Sequence, residues 1–303
     1  MSFAIVFSGQ GMQHAAMLPW LADDDELVDR TRRELGVVDW RAHLGDPDWA
    51  SRNAHAQVLL TGLDLAAWAQ LSRSLPTPAA VAGYSVGELA SFAAAGVFDA
   101  GTALTLAGAR ARAMDRCAAP APGGLLAVSG LSALQIEQLC ASSGAALAID
   151  NGAHAVVLGG PRAALHAAQR AAEAAGAHCT RLTVDVASHT PWMRAAVDEF
   201  AQVLATWPLQ APRIPLFSNA ADRIASGAQA AEALALQIAH TVRWSACMDH
   251  LRARRVACVL EIGPGAALAR LWNQRYPEVP ARSADEFRSA SAITDWVARH
   301  CGA

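Results

Sequence analysis

The stretch from Ala79 to Gly96 constrains the fold more than any other. A short apolar run, Ala79-Ala80-Val81-Ala82, enters Gly83-Tyr84-Ser85-Val86-Gly87, and an alanine-rich helical stretch from Glu88 to Ala95 leaves it. A strand that turns straight into a helix needs backbone freedom on both sides of the turn, which the two glycines supply. Such a turn lifts the Ser85 hydroxyl above the end of the strand, and the N–H of Val86, in the first turn of the helix, points at the same space. The segment predicts a strand, a sharp turn and a helix, with Ser85 as candidate nucleophile and Val86 as half of an oxyanion hole.

The same grammar recurs along the chain. Phe3 to Phe7 reads as a buried strand that breaks at Ser8-Gly9-Gln10-Gly11. Asn53 to Leu75 carries apolar residues at helical spacing up to the stop at Pro76-Thr77-Pro78, and Ala100 to Met114 is a further helix. Alternating strands and helices predict an α/β protein with a mostly parallel sheet covered on both faces.

At Ala118 to Gly124 the composition shifts to a Pro/Gly-rich linker, and a different order follows. Leu125–Val128 reads as a strand, Ala133–Ser142 as a helix, Ala145–Ile149 and Ala155–Leu158 as a strand pair, Arg162–Ala175 as a helix and His178–Val186 as a last strand. That is the order of a split β-α-β insertion. Beyond it come a helix from Pro191 to Ala205, a strand from Ile214 to Asn219, and a strand from Val256 to Ile262 that enters Gly263-Pro264-Gly265. We therefore expect a discontinuous large domain, residues 1–120 and 188–303, with a small domain, residues 121–187, inserted in it.

Composition removes several function classes. With 303 residues, 53% of them apolar, the chain can bury a sizeable core. A formal net charge of -3 with scattered basic residues lacks the footprint of a nucleic-acid binder. The 24 basic residues are all arginine, so a Schiff-base lysine and a phosphate-loop lysine are both impossible. The six cysteines lie far apart, with no CxxC pair or Cys/His cluster, and predict no metal site. The N-terminus lacks a signal-peptide pattern and no apolar run is long enough to span a bilayer, so a cytoplasmic protein without a membrane is expected.

A serine nucleophile needs a base. Six of the ten histidines, His14, His43, His55, His154, His166 and His300, fall in polar stretches where a solvated imidazole is the ordinary outcome. His189 differs, because it follows the alternating Leu182, Val184 and Val186 at a Ser188-His189-Thr190-Pro191 break before a helix.

Taken in order, Gly9-Gln10-Gly11, Gly83-Tyr84-Ser85-Val86-Gly87-Glu88, Arg110 placed 25 residues after the serine, Ser188-His189 and Ile262-Gly263-Pro264-Gly265 resemble the motif set of malonyl-CoA:acyl-carrier-protein transacylases over essentially the whole chain. The resemblance implies an α/β-hydrolase-like large domain, a ferredoxin-like small domain and an acyl-serine formed between them. It implies Ser85 as nucleophile, His189 as general base, the N–H groups of Gln10 and Val86 as oxyanion hole, and Gln237 as the residue whose main-chain carbonyl orients the histidine. Read alone, Gln237 is an exposed helical glutamine. The implied substrates are malonyl-CoA and an acyl carrier protein, with no permanently bound cofactor, coenzyme A serving only as the donor thioester.

Arg110 gives the substrate its physical content. A guanidinium pairs bidentately with a carboxylate, so an arginine buried beside an acyl-serine selects a malonyl over a neutral acyl group. Without the resemblance, Arg110, Arg112 and Arg116 read as a solvated helix face.

The chain departs from the pattern at Ser8, where the family has proline, and at Tyr84, where it has histidine. The tyrosine form, with Gly123-Gly124-Leu125-Leu126-Ala127-Val128, is similar to the ε subunit of malonate decarboxylase, which loads malonyl onto a dedicated carrier subunit. A small Ser188 beside the base leaves room for methylmalonyl, and Arg252-Ala253-Arg254-Arg255 is a candidate carrier-docking or phosphate-binding cluster, though a solvated helix end is the plainer reading. Two other functions remain open at this stage. One is a serine esterase or thioesterase with Asp150 or Asp185 as triad acid. The other is a catalytically silent subunit that only holds a carrier protein.

Overall fold

The computed structural model describes residues 2–152 and 155–302; His154 lies outside the described residues. In chain order the strands are β1 (Phe3–Phe7), β2 (Ala80–Gly83), β3 (Gly123–Ser129), β4 (Ala146–Asp150), β5 (Ala155–Pro161), β6 (His178–Arg181), β7 (Leu216–Phe217), β8 (Arg223–Ile224), β9 (Val242–Arg243), β10 (Cys258–Ile262) and β11 (Ala281–Ser283). Six of them form one sheet in the order β11-β10-β1-β2-β7-β8, parallel throughout except for the antiparallel β8.

Strand periodicity explains how both faces of this sheet are covered. Phe3, Ile5, Phe7 and Val81 point into one apolar cluster, whereas Ala4, Val6, Ala80 and Ala82 point into another. Helices Asn53–Leu71, Gly87–Ala94 and Ala100–Ala118 supply the first face, and Trp244–Ala253 and Ala267–Arg275 the second. The predicted α/β fold with its parallel sheet is the one found.

The second sheet runs β6-β3-β5-β4-β9. From β3 to β6 the chain has the order strand, helix, strand, strand, helix, strand, and these four strands pair antiparallel, the arrangement of a ferredoxin-like unit. The fifth strand, β9, joins β4 in parallel from a distant part of the chain.

Several elements are shorter than the sequence pattern suggests, β10 among them, which starts at Cys258 rather than Val256. The helix that starts at Asn53 ends at Leu71 rather than Leu75, and β7 occupies only Leu216–Phe217 of the expected Ile214–Asn219. The strand expected to run from His178 to Val186 stops at Arg181, where its pairing with β3 ends. Leu182, Val184 and Val186 keep the apolar alternation because they line the cleft between the two sheets. Among the described residues no helix is long and apolar enough to cross a membrane.

Candidate active site

The cleft has a volume of about 560 Å³. One wall comes from the loop after β1 and the turn after β2, the other from the small sheet and the segment that follows β6.

Ser85 occupies the turn after β2 with a φ of 56°, a left-handed conformation that costs a non-glycine residue free energy. The turn is tight on both sides. A Cβ at Gly83 would stand 2.1 Å from the Gly87 carbonyl oxygen, and one at Gly87 would stand 2.5 Å from that of Phe7, so neither position tolerates a side chain.

Asn219, two residues beyond β7, holds this conformation in place. Its Oδ1 accepts from the Ser85 N–H at 2.8 Å while its Nδ2 donates to the Gly83 carbonyl at 2.7 Å, and its own N–H donates to the buried Glu88 carboxyl at 2.6 Å. Burial pushes the Glu88 carboxyl up to about 7, against the hydrogen bonds from Asn219 and Ser218 and the charge of Arg110, which pull it down. The sequence reading does not single out Asn219. The signal available was a Ser-Asn pair ending an apolar strand, and nothing in the spacing ties it to a serine 134 residues away.

His189 is buried, and its Nε2 lies 2.7 Å from the Ser85 Oγ. Its Nδ1 lies 2.6 Å from the main-chain carbonyl of Gln237. A carbonyl only accepts, so Nδ1 carries the proton and Nε2 presents its lone pair to the serine. Burial first, then the charge of Arg110, lowers the imidazole to about 3, against the Gln237 hydrogen bond, so it is neutral at physiological pH. His189 itself has a φ of 63°, and its N–H donates to the Ile238 carbonyl at 2.7 Å, which fixes the backbone beneath the ring.

Among the described residues no triad acid reaches this histidine. Asp185 is exposed and pairs with Arg162, and the Asp150 side chain accepts from the Gly152 N–H. Gln237 is wholly buried, not the exposed helical glutamine of the bare sequence, because its carbonyl serves His189 and its side chain serves Arg110.

Arg110 is buried rather than part of a solvated face, and it lines the same cleft. One terminal nitrogen donates to Gln57 Oε1 at 2.7 Å and the other to Gln237 Oε1 at 3.1 Å, while Nε has no partner among the described residues. Burial lowers the guanidinium to about 10, Glu88 working against it, so the charge is kept at neutral pH. Two neutral acceptors leave that charge uncompensated at the cleft wall, a ready partner for an anion. Gln57 is a second residue that sequence reasoning missed, since a glutamine within the apolar helix Asn53–Leu71 shows no pattern of its own.

Gln10 and Val86 both line the cleft, and neither N–H has a main-chain acceptor among the described residues. Tyr84 is half-buried and lines the cleft, edge-on to Trp244, and its hydroxyl donates to Asn151 of the opposite wall at 3.1 Å. Ser188 lines the cleft next to His189, whereas Arg252, Arg254 and Arg255 do not, and Arg252 pairs with Glu278.

A serine in a strained turn at the end of a parallel strand, hydrogen-bonded to a neutral histidine and flanked by free N–H groups, defines a class of enzyme. That class carries acyl groups on serine. The chain belongs to the acyl transferase domain family, whose model matches residues 4–298, and within it to the malonyl-CoA:acyl-carrier-protein transacylases. It is 30% identical over 302 residues to the malonyl CoA-acyl carrier protein transacylase of Salmonella typhimurium, across 96% of this chain and 98% of that protein. The transacylase structure from Coxiella burnetii superposes with a TM-score of 0.90 at 26% identity, covering 99% of this chain and 98% of the other. A malonyl-transacylase solved in complex with a type II polyketide acyl-carrier protein gives a TM-score of 0.89 at 28% identity, over 97% of this chain and 99% of the other.

Proposed function

We propose that the chain transfers a malonyl group from coenzyme A to the pantetheine thiol of an acyl carrier protein, through malonyl-Ser85. The observation that carries the reading is Arg110: a charged, buried guanidinium with an unpartnered Nε on the wall of the cleft that holds the Ser85–His189 pair. A malonyl carboxylate supplies the missing acceptors, and an acetyl group does not.

The steps follow from the atoms present. Ser85 Oγ attacks the thioester carbonyl as its proton passes to His189 Nε2. The carbonyl oxygen becomes an oxyanion between the N–H groups of Val86 and Gln10. Collapse breaks the carbon–sulfur bond, the coenzyme A sulfur takes the proton from His189, and the malonyl ester of Ser85 remains. The carrier thiol then gives its proton to His189, attacks the ester carbonyl, and leaves as the malonyl thioester while Ser85 regains its proton. Coenzyme A is thus a substrate and no resident cofactor is needed. Residues 1–120 with 188–303 carry the reacting groups, and residues 121–187 supply the facing wall through Leu125, Ile149, Asn151 and Val157.

Tyr84 supports a second reading, in which the accepting thiol sits on the carrier subunit of a malonate decarboxylase. The chemistry is the same, and comparing the two carriers as acceptors separates the readings.

Intact-protein mass spectrometry after brief mixing with malonyl-CoA tests the proposal. Wild type gains one malonyl group, Ser85→Ala gains none, and the adduct discharges faster to a pantetheine thiol than to water. An adduct on Ser85→Ala, or one that water removes as fast as the thiol does, refutes it, and the latter outcome identifies a hydrolase.

Asn219→Ala removes two buried hydrogen bonds that hold the strained turn, worth about 2 kcal/mol together. The rate constant for acylation is expected to fall roughly 30-fold at nearly constant KM. Rapid-quench measurement of malonyl-enzyme formation gives the answer, and an unchanged rate constant would show that the turn keeps its shape without Asn219.

A further inference from the structure

Tyr84 stands between the nucleophile and the small sheet, and its ring is held from three directions. On one side lies Gly9, in the loop after β1. A Cβ at Gly9 would stand 2.8 Å from Tyr84 Cδ1 and 2.8 Å from the Tyr84 carbonyl oxygen, so the loop rests directly on this residue. On another side the ring meets Trp244 edge-on, with centroids 5.3 Å apart. At its tip the hydroxyl donates to Asn151 Oδ1 at 3.1 Å.

Trp244 and Asn151 come from one place in the fold. Asn151 follows β4, Trp244 follows β9, and these strands pair in parallel with Asp150 opposite Arg243. One end of the small sheet therefore holds Tyr84 by its ring edge and its hydroxyl, while the other side of Tyr84 supports the loop that presents the Gln10 N–H. The main chain adds to this arrangement, because the Tyr84 N–H donates to the Phe7 carbonyl at 3.0 Å, at the root of the same loop. A histidine at this position, as in the family pattern, carries no hydroxyl, so the tie to Asn151 belongs to the tyrosine form.

Resting on the malonyl-transfer reading, in which the Gln10 N–H binds the oxyanion, we propose that Tyr84 is a positioning residue for that N–H. Through its hydrogen bond to Asn151 it holds Gly9 and Gln10 where the Gln10 N–H meets the tetrahedral oxygen formed on Ser85. The small domain thereby contributes to the rate of the chemical step as well as to the wall of the cleft. An oxyanion donor owes its effect to being aimed in advance, so a small displacement of the loop is costly.

Single-turnover malonylation followed by rapid quench reads a rate constant, which does not depend on how much of the sample is folded. Tyr84→Phe keeps the ring and removes the hydroxyl. Its acylation rate constant is expected to fall about tenfold, a part of the roughly 100-fold or more that a whole oxyanion donor supplies, with the half-saturating malonyl-CoA concentration unchanged. Asn151→Ala gives the same fall, and the double variant falls no further, because either change breaks the one tie. Phenylboronic acid, titrated calorimetrically into the full chain, probes the hole without turnover. Ser85 Oγ bonds to boron, its proton passes to His189 Nε2, and a hydroxyl of the now tetrahedral, anionic boron takes the place of the oxyanion. Wild type binds this probe, Ser85→Ala does not, and Tyr84→Phe binds it about tenfold more weakly.

A wild-type rate constant and boronate affinity in Tyr84→Phe overturn the proposal. So does a raised half-saturating concentration at an unchanged rate constant, since the hydroxyl would then be a substrate contact. Losses in Tyr84→Phe and Asn151→Ala that multiply in the double variant also overturn it, because the two residues would then act separately. The boronate result does not depend on malonyl transfer. A chain that loses boronate affinity in Tyr84→Phe but forms no malonyl-Ser85 keeps the positioning role and loses the transfer function. One that forms malonyl-Ser85 and binds boronate equally in both proteins loses the positioning role alone.

Discussion

Replacing His189 by alanine is expected to slow malonylation of Ser85 by about a thousandfold, within the range that a positioned general base contributes. Among the described residues His189 Nε2, at 2.7 Å, is the hydrogen-bond partner of this hydroxyl, and the Glu88 carboxyl is turned toward the Asn219 N–H. The pH profile carries the sharper test. An ordinary histidine base produces an acid limb in kcat/KM near pH 6.5, because protonation removes the lone pair. Here burial and the Arg110 charge pull His189 down to about 3, so the base stays neutral and the limb moves with it. Activity should run flat from about pH 8 down to about pH 5 as far as His189 is concerned.

Burial brings two carboxyls at the site up to about 7: Glu88, which touches the nucleophile through Asn219, and Glu261, which lines the cleft and accepts from the Ser8 hydroxyl. A limb near neutrality that disappears in Glu88→Gln belongs to the support of the turn. A limb near pH 6.5 that persists in both Glu88→Gln and Glu261→Gln would mean that His189 titrates as a solvated imidazole, and the neutral-base account would fail.

How much of this was legible in the sequence depends on whether a residue's role is local. The turn at Ser85 was legible because the crowding that forbids a Cβ at Gly83 and Gly87 arises within the segment itself or from the adjacent strand. His189 was legible as a break after an alternating run, although the run proved to line a cleft beyond Arg181 rather than to extend β6. Arg110, Gln10 and Gln237 came from the motif resemblance, since a helical arginine and a helical glutamine carry no mark of burial. Asn219 and Gln57 stayed hidden because each acts on a partner far along the chain, 134 and 53 residues away, where one sequence has no periodicity to reveal the contact. The short β7 compounds this: two residues give too little alternation to show which edge of the sheet the asparagine will occupy.

Those hidden partners bear directly on substrate choice. Gln57 and Gln237 hold the two terminal nitrogens of Arg110 with neutral oxygens, and the one carboxyl among the described residues whose charge acts on it, Glu88, is itself raised to about 7 by burial. A salt bridge would have compensated the guanidinium and left nothing for a substrate; two amides orient it and leave its charge unspent.

Arg110→Ala is therefore expected to cut malonyl transfer by roughly 100- to 1,000-fold, the cost of leaving a desolvated carboxylate without its partner. Acetyl transfer, which presents a methyl group to the same wall, should change by less than about threefold, so the preference for malonyl over acetyl collapses. Competing malonyl-CoA and acetyl-CoA on one enzyme sample and reading the two adduct masses measures that preference directly, without reference to protein concentration. If both adducts fall by the same factor, Arg110 acts on Ser85 and His189 through Gln237 rather than on the substrate. The carboxylate-binding role would then pass to another residue, and the unpartnered Nε would need a different explanation.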